Sequence, residues 1–516
     1  MPFSVNIFWR PLPLMPIASP EVDSRRRQLF FLGALLLLTL FSLWPIWVVD
    51  FPPLQDYPQH LFLAHVNATY ADPSYNWEQY YLAGLRPGPY TLFYYAIVWL
   101  EAMMPVVVAG KVFLSCTIVL IAALVLSVAK RAQPGDPPWG TLLLFPLSFH
   151  QIYFMGFTNF LLSVPLLGLA VLDHQRLAQT ERLGLALLRQ AVMVSLLFLC
   201  HPFSILVYIV LTFGDGMLPG PDGGRRKLSL LPPLVTALLF AGWYVMTKQG
   251  SGGKMPLLWW PWSETVKYYL LMFTGMRWAQ GIDWVSLVAW LAAAGLLLFG
   301  AIRATKRGVA FPVRSGLAFL LATAGFFILP FWAGQYSYFN LRMAPISYLF
   351  GALVAGFCAL PLPAGLAITF ISALLINQSA VVQRAVSNET AELKPILAAM
   401  RPNATILPMT FKTESAALDR HFFPEAHSHD HFYYHLLVGG GASPSLFPSP
   451  MLPVTLKPGG NLPLATHDFS WQDHGSKYDY ILSRGAPEGF APFVSRYAPL
   501  VRQSGEWLLF KNEHKK

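Results

Sequence analysis

The stretch Asp50-Phe-Pro-Pro-Leu-Gln-Asp56-Tyr-Pro-Gln-His60-Leu-Phe-Leu-Ala-His65 begins where the first long apolar run of the chain ends. Pro52, Pro53 and Pro58 keep one helix from running straight through it, and its carboxylates and imidazoles are costly inside lipid. It reads as a loop at a membrane surface. A carboxylate held partly out of water at such a boundary is suited to take a proton from an attacking hydroxyl or amine, or to orient it. Asp56, just before Pro58 and His60, is the leading candidate, with His60 and Asp50 beside it; Asp50 reads equally as a helix cap.

Outward from this stretch, the chain is apolar. Of its 516 residues 55% are hydrophobic and 12% charged, with a mean hydropathy of +0.47. That balance argues against a soluble protein and for an α-helical polytopic membrane protein. The net charge of +10 does not indicate nucleic acid, because Lys and Arg come in short clusters between apolar runs rather than along one face. Cys116, Cys200 and Cys358 fall within or at the ends of apolar runs, so no disulfide framework is expected.

Runs of spanning or near-spanning length lie at 28–49, 106–129, 141–154, 157–172, 184–199, 203–217, 228–247, 284–302, 313–332, 344–361 and 363–382. The run after Arg25, Arg26 and Arg27 lacks a small-residue cleavage site and is expected to stay as an anchor, with 1–27 a cytoplasmic tail. If the further run 90–104 lies only in the interface, Lys130, Arg131, Arg176, Arg182, Arg225, Arg226, Lys227, Arg303, Lys306 and Arg307 all fall on the cytoplasmic side. This gives about eleven spans in a domain of residues 28–383. Loops 50–89, 150–156, 200–202, 248–283 and 333–343 then share the outer face. The segment 58–69 is expected to be a short amphipathic helix against the membrane surface. The aromatic segment around Trp259, Trp260 and Trp262 reads as an interfacial belt or as a grip on substrate.

Beyond residue 383 charges, prolines and histidines return, and 384–516 is expected to form an extracytoplasmic α/β domain. A helix at 391–400 and strands at 404–411, 478–483 and 507–511 follow from the pattern, with 439–464 a long loop. The cluster His421, Glu425, His427, His429, Asp430, His431 and His435 matches no common closed metal site. It reads as a solvated loop, as a metal site, or as a flap that folds over the membrane-face site.

The motif Pro52-Pro53-Leu54-Gln55-Asp56-Tyr57-Pro58-Gln59-His60 after one long apolar helix resembles the GT-C superfamily of polytopic glycosyltransferases. The turn Gly156-Phe157-Thr158-Asn159, the turn His201-Pro202 and the segment Asn340-Leu-Arg342-Met-Ala-Pro345 agree with it. The likeness is similar in type to the dolichyl-phosphate-mannose mannosyltransferases and aminoarabinose transferases. It implies transfer of a sugar from a polyprenyl-phosphate carrier to a lipid, glycan or protein acceptor at the outer face of the inner (plasma) membrane, with Asp56 as the catalytic base. Where many relatives have a further acid in the next outer turn, this chain has His150, Gln151, Tyr153 and Asn159. No nucleotide cofactor is needed and no other cofactor is assigned; a divalent metal ion is left open, with no metal ligand assigned.

Such a transfer needs cations for the departing phosphate and an apolar groove for the prenyl chain. Arg342, at the mouth of a late span, is the leading cation; Lys254 and Arg86 come next, and Lys248, Lys267 and Arg277 are reserves. Each of these reads otherwise as snorkelling to lipid headgroups. His150, Tyr153, Asn159 and His201 are candidate substrate contacts, His201 alternatively a structural donor. A transporter or lipid-flipping protein is the alternative class, but the spans are nearly free of acids apart from Glu101 and Asp215. A scaffold that binds polysaccharide without catalysis is the third.

Overall fold

The computed structural model describes residues 20–516 except 133–134, 178–181, 218–229, 248–255, 275–280, 282, 334–336, 419–424, 448–451, 460–461, 466–467 and 516. Lys248, Lys254, Arg277, His421 and the cluster Arg225, Arg226 and Lys227 lie outside the described residues.

The chain is chiefly helical. In order come α1 (Pro20–Trp47), α2 (Tyr57–Thr69), α3 (Leu92–Glu101), α4 (Val106–Ala129), α5 (Thr158–Leu177), α6 (Leu183–Cys200) and α7 (Pro202–Met217). They are followed by α8 (Leu231–Thr247), α9 (Trp262–Thr274), α10 (Trp284–Lys306), α11 (Val313–Ile328), α12 (Met343–Ala355) and α13 (Leu362–Ala391). Among the described residues six helices are long and apolar enough to cross a membrane: α1, α4, α5, α6, α10 and α13. Helices α3, α7, α8 and α11 are apolar but shorter. The outer faces remain apolar, with Leu36, Leu40, Leu238, Leu291, Leu298 and Phe370 all exposed. Such a surface is stable against lipid rather than water.

Two expectations change here. The run 141–154 is not one helix but three short turns, Trp139–Leu143, Leu144–Leu147 and Gln151–Phe154. The chain turns extended at His150, with φ −93° and ψ 178°, which ends one turn before the next begins. Helix α13 also runs past residue 383 to Ala391, so the boundary placed there falls inside a continuous helix.

Polar groups sort to the two ends of the helical bundle. At one end Asp136 faces Arg27 at 3.5 Å and Arg307 at 3.6 Å, Asp215 faces Arg314 at 2.6 Å, and Asp173 pairs with Arg189. At the other end the segments 50–60, 88–94, 150–159, 199–203 and 337–343 meet. Gln55 N donates to Phe154 O at 2.8 Å, Asp56 N to Met155 O at 3.2 Å, and Thr91 N to Leu199 O at 3.0 Å. Glu101, the acid of the 90–104 run, pairs with His65 Nδ1 at 2.5 Å.

The C-terminal region carries a four-stranded sheet of β4 (Ile406–Thr410), β6 (Tyr480–Arg484), β8 (Trp507–Lys511) and β7 (Leu500–Ser504), in that spatial order. Its β4–β6 pair is parallel and the other two are antiparallel. Strands β4, β6 and β8 lie where the alternation predicts them. The expected helix at 391–400 is only the turn Lys394–Leu397. Two further pairs join distant segments: β1 (Tyr81–Ala83) with β5 (Val454–Leu456), and β2 (Leu257–Leu258) with β3 (Trp332–Ala333). The first ties the loop at 50–89 to the C-terminal region. Asn76 and Asn403 strengthen the tie, since Asn76 Nδ2 donates to Asn403 O at 3.1 Å and Gly441 N to Asn76 Oδ1 at 2.7 Å.

Helix α2 forms close to the predicted 58–69, but it does not lie on the membrane surface. Leu61, Phe62, Leu63, Ala64 and Val66 have no exposed surface, and Gln59 is buried with them. The helix sits between the bundle and the segment 425–447: Phe62 stacks on Phe432 at 4.9 Å and meets His435 at 4.8 Å. Burying each of its larger apolar side chains contributes about 1.5–3 kcal/mol. An amphipathic pattern was expected, but both faces find protein.

A close backbone approach lies at Gly156, whose φ is +78°. A Cβ there would stand 2.8 Å from Tyr57 N and 2.9 Å from Asp56 N. Gly156→Ala should therefore destabilise the protein by more than about 1 kcal/mol through backbone strain alone, read as a lowered Tm in detergent; an unchanged Tm would show that the turn does not need glycine.

Candidate functional site

Asp56 is the residue just before α2, held there by the backbone bonds to Phe154 and Met155. Its side chain is 12% exposed, so the carboxylate is nearly buried yet reachable. Gln55 Nε2 donates to Asp56 Oδ1 at 3.3 Å and to Glu425 Oε2 at 3.2 Å, so one amide bridges two acids from distant parts of the chain. His429 Nε2 stands 3.7 Å from Asp56 Oδ1. Burial, reinforced by the Glu425 carboxylate, pushes the Asp56 pKa up to about 7; the Gln55 amide and the Arg342 guanidinium pull the other way.

His60 lies one turn along α2. Its Nδ1 is 2.7 Å from Tyr94 Oη on α3. Burial, and secondarily His429, lowers its pKa to about 4, so near neutrality the ring is uncharged. Burial likewise lowers His429 to about 4, against the opposing effect of Asp430. Both rings pack against Phe447, at 5.7 Å and 4.9 Å. Two neutral imidazoles therefore flank a carboxyl group that is half-ionised near pH 7.

The histidine-rich segment thus packs over Asp56 and α2, as the flap reading of its sequence expects. It is anchored through His427, whose Nδ1 is 2.8 Å from Asp430 Oδ2 and whose Nε2 is 2.8 Å from Glu389 Oε2 at the end of α13. Thr390 Oγ1 donates to Asp430 Oδ2 at 3.0 Å. Burial acts to lower the His427 pKa, but the Asp430 and Glu389 carboxylates outweigh it and hold it above the usual histidine value. Among the described residues no group of three or more His, Cys, Asp or Glu side chains is arranged to hold a metal ion.

Arg342 sits in the turn Asn340–Arg342 that leads into α12. Its Nη1 donates to Ser337 O at 2.8 Å and Tyr338 O at 3.0 Å, and its guanidinium lies over the Phe157 ring at 4.8 Å. It is close enough to favour ionisation of Asp56. Tyr338 has a φ of +58°, and Tyr90, on the other side of the region, a φ of +68°. A bulky residue in the left-handed region costs on the order of 1–3 kcal/mol. In both cases a neighbouring side chain bonds the strained residue's carbonyl: Arg342 holds Tyr338, and Asn159 Nδ2 donates to Tyr90 O at 2.7 Å.

The remaining candidates divide by what their atoms already do. Asp50 is drawn away from the site into an exposed ion pair with Lys394 at 2.5 Å. Asn159 is a structural clamp, since its Oδ1 also accepts from Phe93 N at 2.9 Å. Tyr153 Oη donates to Gln383 Oε1 on α13 at 2.9 Å. His201 Nδ1 accepts from Phe203 N at 3.1 Å at the start of α7, and its ring packs between Tyr90 and Phe160. His150 is buried and lines a small cavity of about 40 Å³ with Ser148, Thr117 and Tyr348. Arg86 is exposed, and among the described residues no hydrogen bond or ion pair joins it to Asp56, His60 or Arg342. Lys267 pairs with Glu264 at 3.4 Å.

Gln55, Glu425, His429, Tyr94 and Phe447 are the site residues that the motif alone does not single out for this place. Gln55 stood inside the quoted stretch, but an amide beside an acid carries no signal of its own. Glu425 and His429 stood in the histidine-rich cluster, and only the fold assigns them to Asp56.

Comparison with protein-family models, with curated proteins and with solved structures returns no match for this chain.

The balance of effects on Asp56 is open to direct measurement. Glu425→Gln removes a neighbouring negative charge and should lower the Asp56 pKa; Gln55→Leu removes a hydrogen bond to the ionised form and should raise it. Infrared titration of the protonated carboxyl stretch, with Asp56→Asn as the blank, reads both shifts. Movement in the same direction for the two variants would contradict the arrangement.

Proposed function

We propose that this chain is a membrane glycosyltransferase of the GT-C type that moves a sugar from a polyprenyl-phosphate carrier to an acceptor at the outer face of the inner membrane. The reading takes the Asp56 end of the bundle as extracytoplasmic, the end rich in Arg27, Arg131, Arg307 and Arg314 as cytoplasmic, and about eleven membrane passages in all. The observation that carries it is the placement of a nearly buried carboxyl group, half-ionised near pH 7, within the electrostatic reach of a guanidinium that is itself fixed by two carbonyls.

In this mechanism the acceptor's hydroxyl oxygen attacks the anomeric carbon of the donor. Its proton passes to the Asp56 carboxylate, and the bond from the anomeric carbon to the phosphate oxygen breaks with its electron pair leaving on the phosphate. Arg342 faces that phosphate as its negative charge grows. His60 and His429, both neutral near pH 7, offer hydrogen bonds to sugar hydroxyls without competing for the proton. The flap bearing Glu425, His429 and Phe447 excludes water that would otherwise hydrolyse the donor. Lipid, glycan and protein acceptors all fit this chemistry.

Sugar transfer from a synthetic polyprenyl-phosphate donor by the purified protein tests the proposal. Asp56→Asn should lower kcat by about 10²–10⁴-fold and Arg342→Ala on the order of 100-fold or more. The wild-type rate should rise with pH through about 7, because the base works only when ionised. Normal transfer by both variants would refute the assignment.

A further inference from the structure

At the end of the bundle away from Asp56, two cavities share a wall. The smaller, of about 210 Å³, is lined by His174, Thr212, Asp215 and Arg314 among apolar residues of α5, α7, α11 and α12. The larger, of about 460 Å³, adds Arg131 and Asp136. Leu172, Gln175, Arg314, Ser315 and Leu353 line both. None of these residues belongs to the site around Asp56.

Three independent features point to an anion. His174 is 2% exposed, yet neither of its ring nitrogens has a hydrogen-bond partner among the described residues. A buried imidazole left this way is unfavourable unless a ligand completes it. Helix α11 begins at the cavity without a side-chain cap, and its first-turn residues Arg314 and Ser315 line the cavity, which places the positive end of the helix dipole there. Arg27 and Arg307 face the Asp136 carboxylate, Arg314 faces that of Asp215, and Arg131 lines the larger cavity with its side chain on Leu172 O, so guanidinium groups outnumber carboxylates in and beside the two cavities.

A fourth feature selects a lipid over a free anion. Val210 on α7 and Leu317 and Leu321 on α11 line the smaller cavity and are 61%, 44% and 55% exposed. The cavity therefore opens sideways on the apolar outer surface of the bundle, between two helices, rather than only toward water. A small hydrated anion has no use for such a mouth, whereas a hydrocarbon chain passes through it at little cost.

We propose that this cavity binds the phosphate head of a membrane lipid, held by His174, Arg314 and the first turn of α11, with its hydrocarbon chain leaving between α7 and α11. The site is separate from Asp56 and does not rest on the glycosyltransferase reading. Arg314 keeps its Nε on Asp215, which fixes the guanidinium, while its exposed part faces the head group.

The test uses the full chain in phosphatidylcholine nanodiscs doped with phosphatidic acid, and counts retained lipid by native mass spectrometry after detergent extraction. The wild type should retain phosphatidic acid in preference to phosphatidylcholine, with no displacement by excess inorganic phosphate. His174→Leu, and Leu321→Trp, which closes the mouth from an exposed position, should each weaken retention about tenfold or more. Asp56→Asn should bind like the wild type, which separates this outcome from that of the transfer assay. Equal retention by the wild type and Leu321→Trp, or no preference over phosphatidylcholine, would overturn the proposal. Displacement by inorganic phosphate would instead make this a site for a small anion and would equally overturn it.

Discussion

The two backbone hydrogen bonds from Gln55 and Asp56 to Phe154 and Met155 fix the position of everything else at this end of the molecule. They are possible only because Gly156 has no side chain to hold the two strands of chain apart. Once they form, α2 is aimed between the bundle and the C-terminal flap, and the three short turns of 139–154 become a platform rather than a failed helix. A continuous span there would carry its polar backbone groups inside itself and offer no carbonyls to the loop. The break at His150 is therefore what lets the loop at 50–60 dock.

The same logic accounts for the second half of the site. The flap at 425–447 reaches α2 because β5 pairs with β1 and because His427 bridges Glu389 and Asp430. A buried imidazole between two carboxylates is favourable when protonated, since each negative charge then has a partner and a hydrogen bond. Removing either acid would leave a buried charge poorly matched, so the bridge works as a unit with Thr390. Its location at the end of α13 explains why that helix continues beyond the apolar run: the last turns carry the anchor for the flap.

Much of this was legible in the sequence, and the parts that were not share a cause. Apolar runs predicted the long helices, because length and hydropathy are local properties. Alternation predicted β4, β6 and β8 for the same reason. Strand β7 escaped because it is an edge strand with nearly every residue exposed, and its Leu-Val-Arg-Gln-Ser sequence shows no buried face. Strands β1 and β5 have three residues each and exist only by pairing across the fold. Asp56, His60 and Arg342 stood out as charged or titratable groups at the ends of apolar runs. Asp50 stood out equally, and only its neighbour Lys394 on the far side of the chain takes it out of the group. Asn159 has the chemistry of a substrate ligand, but both ends of its amide are already engaged by the backbone of the 90–93 segment. Burial of α2 was invisible for a related reason, since a helix with Gln59 and two histidines reads as a surface helix until a second protein layer covers it.

In the proposed reaction Asp56 and Arg342 act as a reactive pair, and their placement differs from that of a structural one. A structural ion pair would put the guanidinium in direct contact with the carboxylate, depress its pKa and leave no room between them. Here Arg342 is turned onto two carbonyls and the Phe157 ring, and the carboxylate onto Gln55 and His429, while each still feels the other's charge. Burial then outweighs the distant attraction, and the carboxyl titrates near neutrality instead of staying permanently ionised. In the proposed reaction, opposite charges that are kept from closing on each other would hold an electric field across the reacting groups. A group entering there with a proton to lose at one end and a negative charge to gain at the other would meet that field already oriented, with no reorganisation of the protein as it reacts.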